Sequence, residues 1–319
     1  LTIECRAGSA AETFAKENGI AYEAKTFSDE FTYSPYAENG MFNGQYAVTG
    51  YTGKDKSITI PLQTPDGYPV VAIGYEAFKG NYTIVDVVIP DGIQAIDYNA
   101  FMGCLNLQSV SIPDSVTQIK PNTFYNCQNL KNVQLPSNLT EIVNNMFYYC
   151  VKLEQIDIPD TVIKIGAGAF SNDKLLKSVK IPDGVREIGG SAFSQCSQLR
   201  NVNIPSRVET IGQSAFWGCK GPENLIIPGT LKKIERYTFY SMSEVKSLTI
   251  EDGVTEIGEN AFGASWNLKR IVIPSSVTSI ASDAFGGSYD LSRNAVIYGE
   301  AGSYAETYAK EHNIPFEAL

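Results

Sequence analysis

Apolar and polar positions repeat along this chain with a period of 23 residues. Ten phenylalanines follow that spacing, each with an isoleucine five residues before it and a Val, Ile or Leu eight residues before it. Ten matches at one period predict a stack of similar short units rather than a single compact core. The repeating phenylalanines are Phe78, Phe101, Phe124, Phe147, Phe170, Phe193, Phe216, Phe239, Phe262 and Phe285.

Each repeat predicts a strand, a turn and a second apolar segment. Val110 and Ile112 alternate with serines, as on a half-buried strand, and Pro113 ends the pairing because it has no N–H to donate. Ala192 and Phe193 are expected to fill the core from a short helical or 3₁₀ turn. A single repeat cannot bury its apolar face, so we expect the repeats to stack with strands about 4.8 Å apart.

The repeat at residues 181–199 closely resembles that of the BspA-like (Treponema pallidum-type) leucine-rich repeat family. The resemblance extends over residues 40–319, to within a few residues. It is consistent with an α/β, β-rich fold, a leucine-rich repeat solenoid forming a right-handed superhelix of ten 23-residue rungs with N- and C-terminal caps. It further implies a bacterial surface or secreted protein that adheres to an extracellular macromolecule, either a host matrix or cell-surface protein or a glycan. The family offers no catalytic residues to carry over, and no cofactor is expected.

Four segments are expected along the chain. They are a cap-like segment at 1–25, an N-terminal β cap at 26–60, the solenoid at 61–297 and a C-terminal helical cap at 298–319. Residues 3–24 repeat the sequence of the closing cap. We therefore expect residues 1–25 to end a preceding array, and the native protein to carry at least two solenoids in tandem.

Short sequence motifs predict local details of the two caps. In the closing cap, Ser303 and Glu306 predict a capping box at the start of a helix, and Asn313 predicts a left-handed stop. In the N-terminal β cap, the pairs Asn39-Gly40 and Asn43-Gly44 predict hairpin turns. The only histidine, His312, is expected at the end of the cap helix, where it suits the helix dipole.

Charge and hydropathy exclude two classes of partner. The formal net charge of −10 argues against nucleic acid, whose phosphates would be repelled. No apolar run reaches the roughly eighteen residues of a membrane span, so no membrane insertion is expected. The chain begins at Leu1 without an initiator Met or a signal peptide. We therefore expect an excised piece of a longer extracellular or cell-surface protein, with its targeting signal outside this fragment.

Five of the six cysteines fall on the 23-residue grid, three residues after the repeat phenylalanine. A column of this kind predicts a core position in which Cys is a small apolar filler. Buried free thiols are the favoured interpretation, and disulfides between neighbouring rungs remain the alternative. No metal site is expected. The five cysteines are Cys104, Cys127, Cys150, Cys196 and Cys219, and Asp173 occupies the same column.

Two surfaces are candidates for ligand binding. The first is the outward face of the strands, where one column of side chains carries five positive and two negative charges. Its candidate residues are Lys131, Lys177, Lys180, Arg200, Asn201, Lys246, Lys269 and Arg270. The second is an aromatic ridge formed by Tyr125, Tyr148, Trp217 and Tyr240. A solvated sheet face and simple packing between turns are the alternatives for the two surfaces.

These patterns favour a non-catalytic module that mediates adhesion or protein–protein interaction. One alternative is a structural spacer in a multidomain surface protein, which would have no ligand of its own. Another is a carbohydrate-binding module that uses the aromatic ridge, because Tyr and Trp stack on sugar rings. No catalytic residue is assigned, because no nucleophile, metal or phosphate-binding motif occurs in the sequence.

Overall fold

The first unit of the structure is a β-α-β arrangement. The computed structural model describes residues 2–6, 10–25, 30–38, 41–286 and 295–319. Strand β1 (Thr2–Arg6) is followed by helix α1 (Ala10–Glu17) and strand β2 (Ala21–Lys25). The two strands are parallel, and Ile3 lies opposite Tyr22.

A β-hairpin precedes the first repeat. Strands β3 (Phe31–Glu38) and β4 (Met41–Tyr51) are antiparallel, and β4 then pairs in parallel with β6 (Val70–Ile73). The hairpin turn predicted at Asn43-Gly44 is wrong. Both residues lie inside β4, where Gly44 has φ +84° at an irregularity of the pairing. The turn predicted at Asn39-Gly40 lies outside the described residues.

Most repeats contribute one short strand to each of two rows of parallel strands, the front sheet and the back sheet. The coil of Gln155 joins the front sheet only through an isolated bridge to Ser178. The front sheet contains β5 (Ser57–Thr59), β7 (Asp86–Val88), β9 (Ser109–Ser111), β11 (Asn132–Gln134), β14 (Ser178–Val179), β16 (Asn201–Val202), β18 (Asn224–Ile227), β20 (Ser247–Ile250), β22 (Arg270–Val272), β24 (Val296–Gly299) and β25 (Phe316–Ala318). The back sheet contains β6, β8 (Ala95–Ile96), β10 (Gln118–Ile119), β12 (Glu141–Ile142), β13 (Lys164–Ile165), β15 (Glu187–Ile188), β17 (Thr210–Ile211), β19 (Lys233–Ile234), β21 (Glu256–Ile257) and β23 (Ser279–Ile280). The predicted β-rich repeat solenoid is confirmed.

The repeat register explains the core. Paired residues of neighbouring coils occupy the same place in the repeat, as Val110 and Val133 do, so like side chains stack on like. The ten phenylalanines are buried, and neighbouring rings stack with centroids from 4.9 Å (Phe78 and Phe101) to 5.7 Å (Phe124 and Phe147) apart. Burial of each ring contributes about 1.5–3 kcal/mol, and this continuous stack runs the length of the solenoid.

The segment around each phenylalanine is a series of tight turns. The predicted helical turn at Ala192-Phe193 is wrong, because Ser191 (φ +56°) and Gln195 (φ +62°) take the left-handed conformation. The N–H of Phe193 is thereby directed to the carbonyl of Ala215 in the next coil, at 2.7 Å. These turns therefore form a third row of hydrogen bonds between coils, in addition to the two sheets.

The C-terminal cap consists of β24, helix α2 (Tyr304–Glu311) and β25. The predicted capping box is formed only in part. The Ser303 hydroxyl makes no capping hydrogen bond, and the carboxylate of Glu306 accepts the N–H of Gly302 (2.7 Å) rather than that of Ser303. Asn313 has φ +53°, as its predicted role as a stop requires, and His312 caps the helix while its ring stacks on Tyr308.

Candidate binding surfaces

The front sheet presents all of the predicted strand-face residues to solvent. Every second side chain of a strand points away from the core, and the candidates occupy these positions or the position directly before or after the strand. All are exposed: Lys131, Lys177, Lys180, Arg200, Asn201, Lys246, Lys269 and Arg270.

Ion pairs between coils neutralise part of the expected positive charge. Lys177 lies 2.6 Å from Glu154, and Lys246 lies 2.7 Å from Glu223. The hydrogen bond from Lys177 holds the pKa of Glu154 below its ordinary value. Because these pairs are solvent-exposed, each contributes little to folding and leaves its lysine available to a partner.

Arg200 and Lys180 have looser partners. Arg200 pairs with Glu244 at 3.1 Å, and Lys180 lies 3.4 Å from Asp160, with both of the latter side chains more than three-quarters exposed. At the C-terminal end of the face, the guanidinium of Arg270 lies 3.9 Å from the centroid of the Tyr298 ring, a cation–π geometry. A partner carboxylate can compete for each of these groups.

The front sheet is interrupted beside Arg200. Within the described residues, β16 pairs with β14 and β18 pairs with β20, but β16 and β18 do not pair with each other. Pro222 stands where the other coils carry Leu, Ile or Val, and the preceding Gly221 has φ +74°. A proline has no N–H, and its ring cannot fill the space of a leucine, so the chain enters β18 along a different path.

The interruption opens a groove of about 590 Å³ on the front sheet. Ile204 occupies a column that is buried in most coils but is partly exposed here, and Ile226 is 53% exposed. We call this the front groove. It is lined by Ser178, Val179, Lys180, Asn201, Val202, Asn203, Ile204, Pro222, Asn224, Leu225 and Ile226.

A second interruption lies nearer the N-terminus. Within the described part of the chain, β11 has no partner on the side of Gln155, and Val133 is partly exposed there. A polar depression of about 390 Å³ lies beside it, lined by Lys131, Asn132, Lys152, Glu154, Gln155, Lys177 and Ser178. It contains two of the predicted lysines, Lys131 and Lys177, but no apolar side chain.

The aromatic ridge divides into two different pairs. The Tyr125 and Tyr148 rings are half-buried and stack on each other, with centroids 4.7 Å apart and planes 5° from parallel. That geometry matches the packing alternative for these two residues. Trp217 is 41% exposed and meets Tyr240 edge to face at 6.5 Å. Trp217 is therefore the ridge residue with an accessible ring face.

Comparison with known sequences agrees with the geometry of the repeat. The model of the family described as BspA type Leucine rich repeat region matches residues 54–176 and 164–292, with 6 copies. The chain belongs to this family. A comparison with curated proteins gave no match.

Several solved structures are similar to this BspA-type chain. A leucine-rich repeat protein of Treponema pallidum is 25% identical, with a TM-score of 0.47, over 76% of this chain and 90% of that one. One from Bacteroides ovatus is 23% identical, with a TM-score of 0.48, over 93% of this chain and 100% of that one. A leucine-rich cell surface protein of Faecalibacterium prausnitzii is 26% identical, with a TM-score of 0.40, over 89% and 96%.

The cysteine column of the BspA-type repeats is part of the core. The five described cysteines of the column are buried free thiols, and each donates to the carbonyl of the phenylalanine 26 residues earlier, as Cys104 does to Phe78 at 3.0 Å. Burial raises the pKa of Cys104 to about 12, so the nucleophilic thiolate is not formed at neutral pH. The column stabilises the stack and offers no reactive group.

Two further properties bear on function. Among the described residues, no cluster of three or more His, Cys, Asp or Glu side chains is placed to hold a metal ion. Neither of the helices in that part of the chain has the length and hydropathy of a membrane span. Repeat solenoids are generally used in protein–protein interaction.

The apolar part of the front groove escaped the sequence analysis. Ile226 occupies an outward strand position, the same repeat position as Lys180, whereas Ile204 occupies a position that is buried in the other coils. The interruption therefore accounts for the exposure of Ile204, and strand alternation accounts for that of Ile226. The available signal was Pro222, which breaks a column of otherwise aliphatic residues. A proline in a predicted central strand argues against continuous pairing.

Proposed function

We propose that this chain is a non-catalytic adhesion module of a bacterial cell surface, and that it binds an extracellular protein through the front groove. The observation that carries the proposal is the exposure of Ile226 and Ile204 in the one described front-sheet depression that also holds Lys180 and Asn201. Membership of the BspA-type family supports the surface location and the interaction role.

An extended protein segment fits this groove best. The facing edges of β16 and β18 carry backbone groups without ladder partners in the described chain, and an incoming strand can pair with such edges. Ile226 and Ile204 would bury an apolar side chain, while Lys180 and Arg200 would face carboxylates. The proposed partner is therefore a segment that combines apolar and acidic residues.

The apolar contact can be tested with two isoleucines of equal exposure. Ile226→Asp should weaken binding by about ten- to a hundredfold, because it removes roughly 1.5–3 kcal/mol of apolar burial and adds a charge. Ile163 is also 53% exposed but lies beside the back sheet, so Ile163→Asp should leave binding unchanged. Binding would be measured on immobilised fibronectin, laminin, mucin and a glycan array. Equal losses from both variants would contradict the proposal.

The charged rim can be tested separately. Lys180→Glu combined with Arg200→Glu should reduce the association rate and flatten its dependence on salt, because exposed charges act mainly on encounter. Lys232 is exposed near the back sheet, and Lys232→Glu is the matched control. Association would be followed from 50 to 500 mM salt, as an approximate range that spans screening. A salt dependence that the double variant leaves intact would remove this face from the binding site.

The same panel separates the alternatives. Trp217 is exposed on the aromatic ridge, so glycan binding lost in Trp217→Ala but retained in Ile226→Asp would replace the proposal with carbohydrate recognition. A blank across every probe would favour the structural spacer.

A further inference from the structure

The chain contains two β-α-β units of the same architecture. In the first, parallel strands β1 and β2 flank α1, and Ile3 lies opposite Tyr22. In the C-terminal cap, parallel strands β24 and β25 flank α2, and Ile297 lies opposite Phe316. The two units have the same order, the same helix length of 8 residues and the same strand register.

The helices agree in detail. Ala10–Glu17 reads AAETFAKE and Tyr304–Glu311 reads YAETYAKE, so they differ only at the first and fifth residues. Each helix carries a Glu–Lys pair one turn apart, Glu12–Lys16 at 2.6 Å and Glu306–Lys310 at 2.7 Å.

Both helices also end in the same way. A left-handed residue follows each, Gly19 with φ +60° and Asn313 with φ +53°. The next N–H then returns to the helix at the same distance, from Ile20 to Ala15 and from Ile314 to Ala309, at 2.9 Å in both. This is one helix-ending motif formed twice.

The units differ in what covers their apolar side. In the C-terminal cap, β24 pairs with β22, and Tyr308 packs against Phe285 of the last coil at 5.9 Å. Tyr308 is therefore 3% exposed. Its counterpart Phe14 is 55% exposed, and within the described residues β1 pairs with β2 only. An aromatic side chain and a strand edge that the cap uses are thus open in the first unit.

We propose that residues 2–25 are a second closing cap, whose β1 edge and Phe14 side chain dock on the terminal coil of another BspA-type repeat array. The chain itself displays this interface between its own last coil and residues 296–319. The partner must present an open parallel strand edge, as β22 does to β24, and a terminal phenylalanine, as Phe285 does to Tyr308. The end of an uncapped array of the same repeat has both features.

The test transplants the first unit onto the end of the solenoid. Residues 296–319 of the full chain are replaced by a copy of residues 2–25, which has the same length. The chimera should melt within about 5 °C of the parent chain, because Phe14 takes the place of Tyr308 on Phe285. The full chain with residues 296–319 deleted is the reference for an uncapped end and should melt well below both.

Substitution of Phe14 tests whether the transplanted unit packs on the last coil as a cap or is only accommodated there. In the transplanted copy, Phe14→Ser should lower the melting temperature by at least about 6 °C, because it removes a buried aromatic ring. At its natural position in the parent chain, the same Phe14→Ser should shift melting by less than about 2 °C, because an exposed ring makes few contacts there. A chimera that melts or aggregates like the deleted chain would overturn the proposal, and so would a transplanted Phe14→Ser without effect.

A smaller change tests the same interface in a chain that keeps its own cap. Tyr304→Ala combined with Tyr308→Phe converts the sequence of α2 into that of α1. Melting within about 4 °C of the parent is expected, because the main loss is the hydrogen bond from Tyr308 to the Ser282 carbonyl (3.4 Å). A much larger loss would show that the α1 sequence does not fit a terminal coil.

Discussion

At the scale of single residues, a carboxyl group stands in the repeat position that carries a buried thiol in five other coils. Asp173 is fully buried, and one of its oxygens accepts the N–H of Cys150 at 2.7 Å. The other oxygen, Oδ2, has no hydrogen-bond partner among the described residues. Burial raises the pKa of Asp173 well above its ordinary value, with a smaller opposing effect from the Cys150 N–H. Burial therefore favours the neutral, protonated form of this carboxyl in the folded protein.

Asp173 is expected to make the protein less stable as pH rises. The unfolded chain releases the proton above about pH 4, whereas the folded chain retains it to a higher pH. The contribution of this group to the free energy of unfolding is therefore greatest below about pH 4. It declines as the pH rises toward the higher pKa of the folded state. Asp173→Asn should raise the free energy of unfolding by about 1–3 kcal/mol at pH 8, because the amide keeps the acceptor without an ionisable proton. Denaturant unfolding of the parent chain and of Asp173→Asn, at both pH values, measures this difference in the free energy of unfolding.

The increase in the free energy of unfolding that Asp173→Asn causes should become smaller as the pH falls toward 4. Asp160 is exposed, so Asp160→Asn should change the free energy of unfolding little at either pH. A gain of the same size at pH 4 and pH 8 would contradict a protonated Asp173.

At the scale of elements, hydrogen bonding between coils is uneven. At the junction between the coil of β16 and β17 and the coil of β18 and β19, both sheets are interrupted within the described chain. The turns still join there, from Phe216 to Thr238 at 2.8 Å and from Gly218 to Tyr240 at 2.9 Å. In the described chain the strand ladders of both sheets are therefore missing at this junction, and one N–H, that of Gly221, still donates to the Leu199 carbonyl at 3.0 Å. The phenylalanine stack passes through the junction at 5.5 Å.

Backbone amides of β18 should exchange hydrogen faster than those of β20. Asn224 and Ile226 lie opposite Ser247 and Thr249, so the two pairs occupy equivalent repeat positions. Only the first pair adjoins the interruption, so its amides should exchange at least about tenfold faster. Hydrogen exchange followed by NMR compares them directly. Equal protection of the two strands would show that the front sheet continues across the junction in solution.

At the scale of the whole molecule, the interruption divides the solenoid into two parts. In repeat proteins each coil contacts only its neighbours, so cooperativity depends on the coupling at every junction. A junction with fewer hydrogen bonds and the non-repeat residues Gly221 and Pro222 couples its neighbours less strongly. The N-terminal coils with their β-hairpin and the C-terminal coils with their cap are then expected to unfold as separate cooperative units.

Thermal unfolding should accordingly show two transitions. Phe193→Ala removes a fully buried ring on the N-terminal side and should lower one transition, at a cost of about 3–5 kcal/mol. Phe262→Ala, on the C-terminal side, should lower the other by a similar amount. Calorimetry on the two variants separates them. A single transition that both substitutions shift equally would mean that the phenylalanine stack couples the whole array.

Much of the fold could be predicted from the sequence, because the coils of a solenoid make equivalent contacts with their neighbours. The spacing of the phenylalanines, the aliphatic columns and the strand alternation each depend on contacts between equivalent residues of neighbouring coils, and those residues recur every 23 positions. The turns were less predictable. Their left-handed residues, such as Ser191 and Gln195, are of types that occur in many conformations, and only the bonds to the next coil select this one.

The binding surfaces also combine features that the sequence determines with features that only the tertiary structure decides. Which side chains face outward on the front sheet, including Lys180 and Arg200, follows from alternation along each strand and was determined by the sequence itself. The front groove was decided by tertiary structure, because the effect of Pro222 depends on the coils that pack on either side of it. The same holds for Phe14 and Tyr308, which occupy equivalent places in near-identical helices. One is exposed and the other buried because burial is a property of the neighbouring coil, which the sequence of a helix does not contain.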